Sequence, residues 1–132
     1  MTNLITIRYL VNEVSEAVAF YTSNLDFQVK RQFGEQLAIM ERDGVMLMLT
    51  GPKASGSWAM PDGTKPSPGA SWNRFIIYVD DIESQVSRLK KNGVKFRNEI
   101  LDGTGGKQIL LLDPSGNIVE LYEADPKFRD MY

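Results

Sequence analysis

The sequence predicts an α+β fold made of two pseudo-symmetric β-α-β-β-β modules, whose strands curl into a cup-shaped sheet with the helices outside. Three observations point to it. First, residues 4–21 (LITIRYLVNEVSEAVAFY) and 72–89 (WNRFIIYVDDIESQVSRL) superpose at an offset of 68, so that Ile7 falls on Phe75, Val11 on Val79, Val14 on Ile82 and Tyr21 on Leu89. Second, each copy changes from a period of two to a helical spacing at a polar cap, as a strand running into an amphipathic helix does. Third, each copy is followed by short apolar runs separated by turn residues, the pattern of consecutive antiparallel strands.

Taken in order, residues 4–11 alternate, with Ile5, Ile7, Tyr9 and Val11 on one side and Thr6, Arg8 and Leu10 on the other. Asn12 is read as the cap of the first helix, with Glu13 and Glu16 at its positive end and Val14, Val18, Tyr21 and Leu25 along its apolar stripe. Strands are expected at 27–33 and 36–41, broken near Gly34, and Asp43-Gly44 is a hairpin turn before VMLMLT. In the second copy a strand at 74–79 leads to a cap at Asp80-Asp81. Ile82, Val86 and Leu89 mark that helix's face, and Gly93 ends it after Lys90 and Lys91. Strands are then expected at 94–99, 108–112 and 118–123, with turns at 102–106 and 113–117.

Residues 51–72 contain four glycines and four prolines in 22 positions and show neither period, so they read as a connecting loop. Loops this long in a small domain are usually functional or disordered. The expected organisation is a first module at 1–50, the loop at 51–72, a second module at 73–124 and a polar, patternless tail at 125–132, all within one structural domain.

A chain of 132 residues with 42% apolar and 24% charged residues is sized and composed as a globular domain that needs no disulfide or metal staple. A net charge of −2 disfavours nucleic acid and anionic membrane as partners. No apolar run approaches the roughly 18 residues of a membrane span, and MTNLITIRYL lacks the basic start of a signal peptide. Zero cysteine fits a reducing compartment. A cytoplasmic protein is expected. Gly103-Thr104-Gly105-Gly106-Lys107 lacks P-loop spacing and enters a strand, so it is read as a hairpin turn. Without histidine no serine has a triad partner.

Three segments resemble the vicinal oxygen chelate superfamily of glyoxalases, extradiol dioxygenases and bleomycin-resistance-type proteins. They are Val11 to Tyr21 (V-x-E-x-x-x-A-x-x-F-Y), Val79 to Ile82 (V-D-D-I) and Asp113 to Leu121 (D-P-S-G-N-I-V-E-L). The resemblance implies paired modules forming one cup, assembled as a homodimer. In metal-dependent members it implies four ligands at equivalent strand positions, which fall here on Thr6, Met48, Arg74 and Glu120. Only Glu120 of these suits a divalent ion; Arg74 would repel one, and Met48 is too soft for Mg, Mn, Fe or Zn. No metal site and no cofactor are therefore expected, which argues against glyoxalase and dioxygenase chemistry.

If Thr6 and Glu120 face the cup, strand alternation places Arg8, Leu10, Met46, Met48, Thr50, Ile76, Tyr78 and Tyr122 there too. The opposite set (Ile7, Tyr9, Val45, Leu47, Leu49, Phe75, Ile77, Val119, Leu121) is expected to pack under the helices. The expected ligand-binding residues are Thr6, Arg8, Met46, Met48, Trp58, Trp72, Arg74, Tyr78, Glu120 and Tyr122, the tryptophans as a wall or lid. A mixed surface of this kind suits a small organic ligand. The bland reading stands beside it: Arg74 and Glu120 neutralise each other, and the tryptophans close the sheet and anchor the loop. The function expected is metal-free binding of a small organic molecule, including sequestration of an antibiotic, with no catalytic residue. The alternative is a cofactor-independent lyase or isomerase with Glu120 as base and Arg74 as oxyanion stabiliser.

Overall fold

The computed structural model describes residues 5–69 and 71–131. Leu4, Ala70 and Tyr132, which the sequence places in the first strand, the loop and the tail, lie outside the described residues. By contact the chain divides into two units, one spanning residues 1–70 with Pro114–Asn117, the other Ser71–Asp113 with Ile118–Tyr132.

The first unit holds β1 (Thr6–Leu10), α1 (Val14–Asn24), β2 (Gln28–Phe33), β3 (Leu37–Arg42) and β4 (Val45–Thr50). Its sheet runs β1-β4-β3-β2, with β1 parallel to β4 and the others antiparallel. Asp43 (φ 49°) and Gly44 (φ 82°) form the two-residue turn that the Asp-Gly pair predicts. The apolar stripe of α1 covers one face of this sheet. Val14, Ala17 and Tyr21 are buried, as are Leu25 and Phe27 just beyond the helix, with Ala38, Met40, Leu47 and Leu49 beneath.

The second unit repeats the plan with β5 (Phe75–Tyr78), α2 (Ile82–Lys91), β6 (Lys95–Phe96), β7 (Leu101–Asp102), β8 (Gly106–Leu112) and β9 (Ile118–Ala124). Its order is β5-β9-β8-β6, with β7 also on β8. Ile82, Val86 and Leu89 are buried, as are Ile77, Ile109, Leu111, Val119 and Leu121 of the sheet. The repeat extends to register: Arg8 pairs Met48 and Ile76 pairs Glu120, so each parallel pair superposes on the other.

Several expectations are corrected. Asn12 does not cap α1; Glu13 takes that place without a side-chain bond. The exposed end is met instead by the Glu35 carboxylate, which accepts from the Ser15 N–H at 3.1 Å and from the Ser15 hydroxyl. In α2 the local cap is present, Asp81 accepting from the Ser84 N–H at 3.2 Å, and Glu123 of β9 accepts from the Ile82 N–H at 2.9 Å. The strand expected at 94–99 is only two residues long, and Asp102, assigned to a turn, pairs with β8 as part of the short strand Leu101–Asp102. The ladder breaks because Asn98 Oδ1 takes the Leu110 N–H at 2.9 Å, where a strand would offer a carbonyl. The patternless tail contains a 3₁₀ helix at Pro126–Met131, and the loop contains another at Ser55–Ser57. Val45 is exposed and does not pack under a helix.

Asn117 shows why Pro114–Asn117 belong with the first unit. Its Nδ2 donates to the Leu10 carbonyl at 2.7 Å and its Oδ1 accepts from the Gly69 N–H at 3.0 Å, while Ser115 Oγ accepts from the Asn12 N–H at 2.9 Å.

The Glu35 carboxyl is held below the usual glutamate range, chiefly by the Ser15 hydroxyl and then by the Ser15 N–H. A carboxyl lowered in the folded state contributes stability above its unfolded pKa and loses it as pH falls through the folded one. Glu35→Gln is therefore expected to lower Tm at neutral pH. Its difference from the unsubstituted protein should shrink below roughly pH 4, checked by thermal melts across pH.

Candidate functional site

The face of the first sheet opposite α1 is defined by register. Three rows cross it: Gln28, Glu41, Met46 and Thr6; Arg31, Ile39, Met48 and Arg8; and Phe33, Leu37, Thr50 and Leu10. The expected residues Thr6 and Met46 are direct partners, and so are Arg8 and Met48, where Arg8 Nη2 approaches Met48 Sδ at 3.4 Å. Leu37, Ile39 and Glu41 join them, although strand alternation on β1 and β4 alone did not name them. They could have been found by counting back across the Asp43-Gly44 turn, because a two-residue turn fixes the register. The bulge at Lys30, which shifts Arg31 and Phe33 onto this face, left no comparable signal.

In the second unit, Ile76, Glu120 and Leu110 form one row and Tyr78, Tyr122 and Gln108 another. The Tyr78 and Tyr122 rings meet edge to face at 5.8 Å. Glu120 is buried, 3% exposed, although it carries a carboxylate. Arg74, just before β5, answers it: Nε donates to Glu120 Oε1 at 2.8 Å, and Nη1 donates to the Trp72 carbonyl at 3.0 Å. The Arg97 guanidinium lies over the Trp72 ring at 3.9 Å, a contact the broken strand hid from the sequence.

Trp58 is held within its own loop. Its ring is exposed and its indole N–H is tied to the Lys53 carbonyl at 3.2 Å, the local anchoring of the bland reading. The Gly/Pro-rich loop does border a cavity of about 300 Å³ within the first unit. Leu10, Val11, Asn12, Pro52 and Ser57 line one part of it, with Lys65 to Pro68 lining the rest.

The residues present do not fit the metal that the fold family implies. Of the four positions, Thr6 and Met48 supply a hydroxyl and a thioether on one sheet, and the one carboxylate already holds a guanidinium N–H. A divalent ion at Glu120 would have to displace that cation. Among the described residues no group of three or more histidines, cysteines or carboxylates is arranged to hold a metal.

Comparison with protein families decides the kinship: the model of the glyoxalase/bleomycin resistance protein/dioxygenase superfamily matches residues 3–121. The chain belongs to this superfamily. Solved structures agree on the superfamily fold. Lactoylglutathione lyase from Agrobacterium tumefaciens is 23% identical, with 93% of this chain and 94% of that one covered and a TM-score of 0.71. The fosfomycin resistance protein FosX from Listeria monocytogenes is 14% identical, with 98% of both chains covered and a TM-score of 0.71. TnmS3, an antibiotic binding protein from Streptomyces sp. CB03234, is 22% identical over 95% of this chain and 99% of that one, with a TM-score of 0.65. A comparison with curated proteins finds no match. At these identities the structural likeness concerns the superfamily fold alone. No helix among the described residues is long and apolar enough to cross a membrane.

If Arg74 is what makes the buried Glu120 carboxylate tolerable, Arg74→Met should cost about 1–3 kcal/mol in urea denaturation. The double variant Arg74→Met/Glu120→Leu should recover most of that loss, because removing both partners leaves no unpaired buried charge.

Proposed function

We propose that this superfamily member binds a small organic molecule on its module faces without a metal, sequestering the molecule instead of transforming it. One observation carries this reading. The carboxylate at the superfamily's metal position is paired with Arg74 at 2.8 Å, beside the aromatic edge of Tyr78 and Tyr122. A neutralised pair next to aromatic and aliphatic side chains offers fixed polar contacts and apolar area together, which is what an organic ligand uses. Trp72, its ring exposed and stacked with Arg97, adds a flat surface at the same end of β5.

An antibiotic is the ligand class we favour, supported by the names of two structural neighbours, an antibiotic binding protein and a fosfomycin resistance protein. The same reading makes the protein a cytoplasmic homodimer. Zero cysteine fits a reducing compartment, and β2, exposed along all six residues, offers an edge for a second copy. Catalysis with Glu120 as base and Arg74 as oxyanion stabiliser is less well supported, because the guanidinium that would meet the substrate already occupies Oε1.

Titration of the chelator-treated protein with a panel of antibiotics and aromatic acids, followed by tryptophan fluorescence and calorimetry, is expected to give at least one saturable ligand. Tyr78→Ala should weaken it about tenfold, the loss of one aromatic contact. A panel with no binder, or binding that requires an added divalent cation, would contradict the proposal.

A further inference from the structure

We infer that the first module holds an anion-binding subsite centred on Arg8, so that the ligand carries a carboxylate or phosphate group. This rests on the ligand-binding reading above and narrows it. Arg8 stands mid-strand on the face of the first sheet opposite α1, between Thr6 and Leu10 on β1 and paired with Met48 on β4. Its guanidinium has no carboxylate within ion-pair distance among the described residues, and its one side-chain acceptor is the Met48 thioether, at 3.4 Å. Sulfur is a weak acceptor, so the planar fork of five N–H donors is left largely unanswered.

The guanidinium, on an exposed side chain, is nevertheless packed on one side. The 3₁₀ turn Ser55–Ser57 comes down on it at Gly56, where a Cβ would collide with Arg8 Nη1 and sit 2.9 Å from Cζ. A side chain there would have to push the guanidinium aside. The same point lies 3.1 Å from the Thr50 methyl, and the Thr50 hydroxyl is the single buried side-chain polar atom without a partner among the described residues. An exposed cation with free donors, a glycine backbone packed against one of its nitrogens and, two residues along β4 from Met48, an unpaired buried hydroxyl form one constellation. An oxyanion would satisfy the fork that the thioether leaves largely unanswered. Arg74 does not share this property, since Glu120 neutralises it.

Inorganic phosphate and benzoate are the probes, titrated separately into the isotope-labelled full chain and followed by amide and arginine Nε–H resonances. Millimolar binding is expected for at least one anion, with shifts at Arg8, Gly56 and Ser57. Which of the two binds distinguishes a phosphate from a carboxylate headgroup. Arg8→Gln should weaken binding at least tenfold. Gly56→Ala should weaken it with Arg8 still present, and Arg8→Lys should restore part of it. Arg129→Gln, in the tail, should bind as the unsubstituted protein does. Equal affinity in Arg8→Gln, or no response to either anion, would overturn the subsite. If neutral members of the organic panel still bind in that case, the subsite fails alone; if nothing binds, the wider reading fails with it.

Discussion

A carboxylate buried in a sheet is costly without a counter-charge, and in the second module Arg74 meets that demand. Glu120 lies mid-strand in β9, flanked in register by Ile76 of β5 and Leu110 of β8. An unpaired charge there costs several kcal/mol even after relaxation. Arg74 removes that cost with one N–H and uses another to fix the Trp72 carbonyl. Trp72 in turn carries Arg97 on its ring. The buried carboxylate, two arginines and a tryptophan thus form one chain of contacts outside the strand ladder. The metal question follows from the same pair: a superfamily position that would present a bare carboxylate presents an occupied one.

The two modules solve one topological problem with different local chemistry. Both sheets follow the same spatial order, and both turn glycines before the last strand, Gly44 (φ 82°) and Gly116 (φ 84°), have nearly the same positive φ. The helix starts differ. The first has no side-chain cap on its own N-cap residue and borrows Glu35 from the β2–β3 turn. The second has Asp81 in place and adds Glu123 from β9. Orphan N–H groups at a helix start must be met, and a distant carboxylate meets them as well as a local one.

Much of the fold was legible in the sequence because alternation, helical spacing and turn residues agreed. Register at Asp43-Gly44 was fixed by the turn type, and the α2 cap and its glycine stop were local signals. The α1 cap falls one residue beyond Asn12, whose backbone N–H is bonded to Ser115 from a turn about a hundred residues away, and no local pattern reports such a bond. The short β6 failed for a similar reason, an asparagine side chain standing in for a backbone carbonyl. Of the candidate residues, those on strand faces could be named by counting. The Arg74–Glu120 contact was anticipated as one of two readings, because opposite charges at related strand positions suggest pairing without settling it. The Arg8–Gly56 packing was invisible, since a glycine in a loop gives no sign of what lies beneath it.

The most direct measurement is a calorimetric titration of the metal-stripped protein with manganese, nickel and zinc, paired with elemental analysis of the protein as purified. With the only carboxylate at the superfamily metal position engaged by a guanidinium, no stoichiometric tight binding is predicted. One firmly bound transition metal per chain, lost on Glu120→Gln, would contradict the account at its centre.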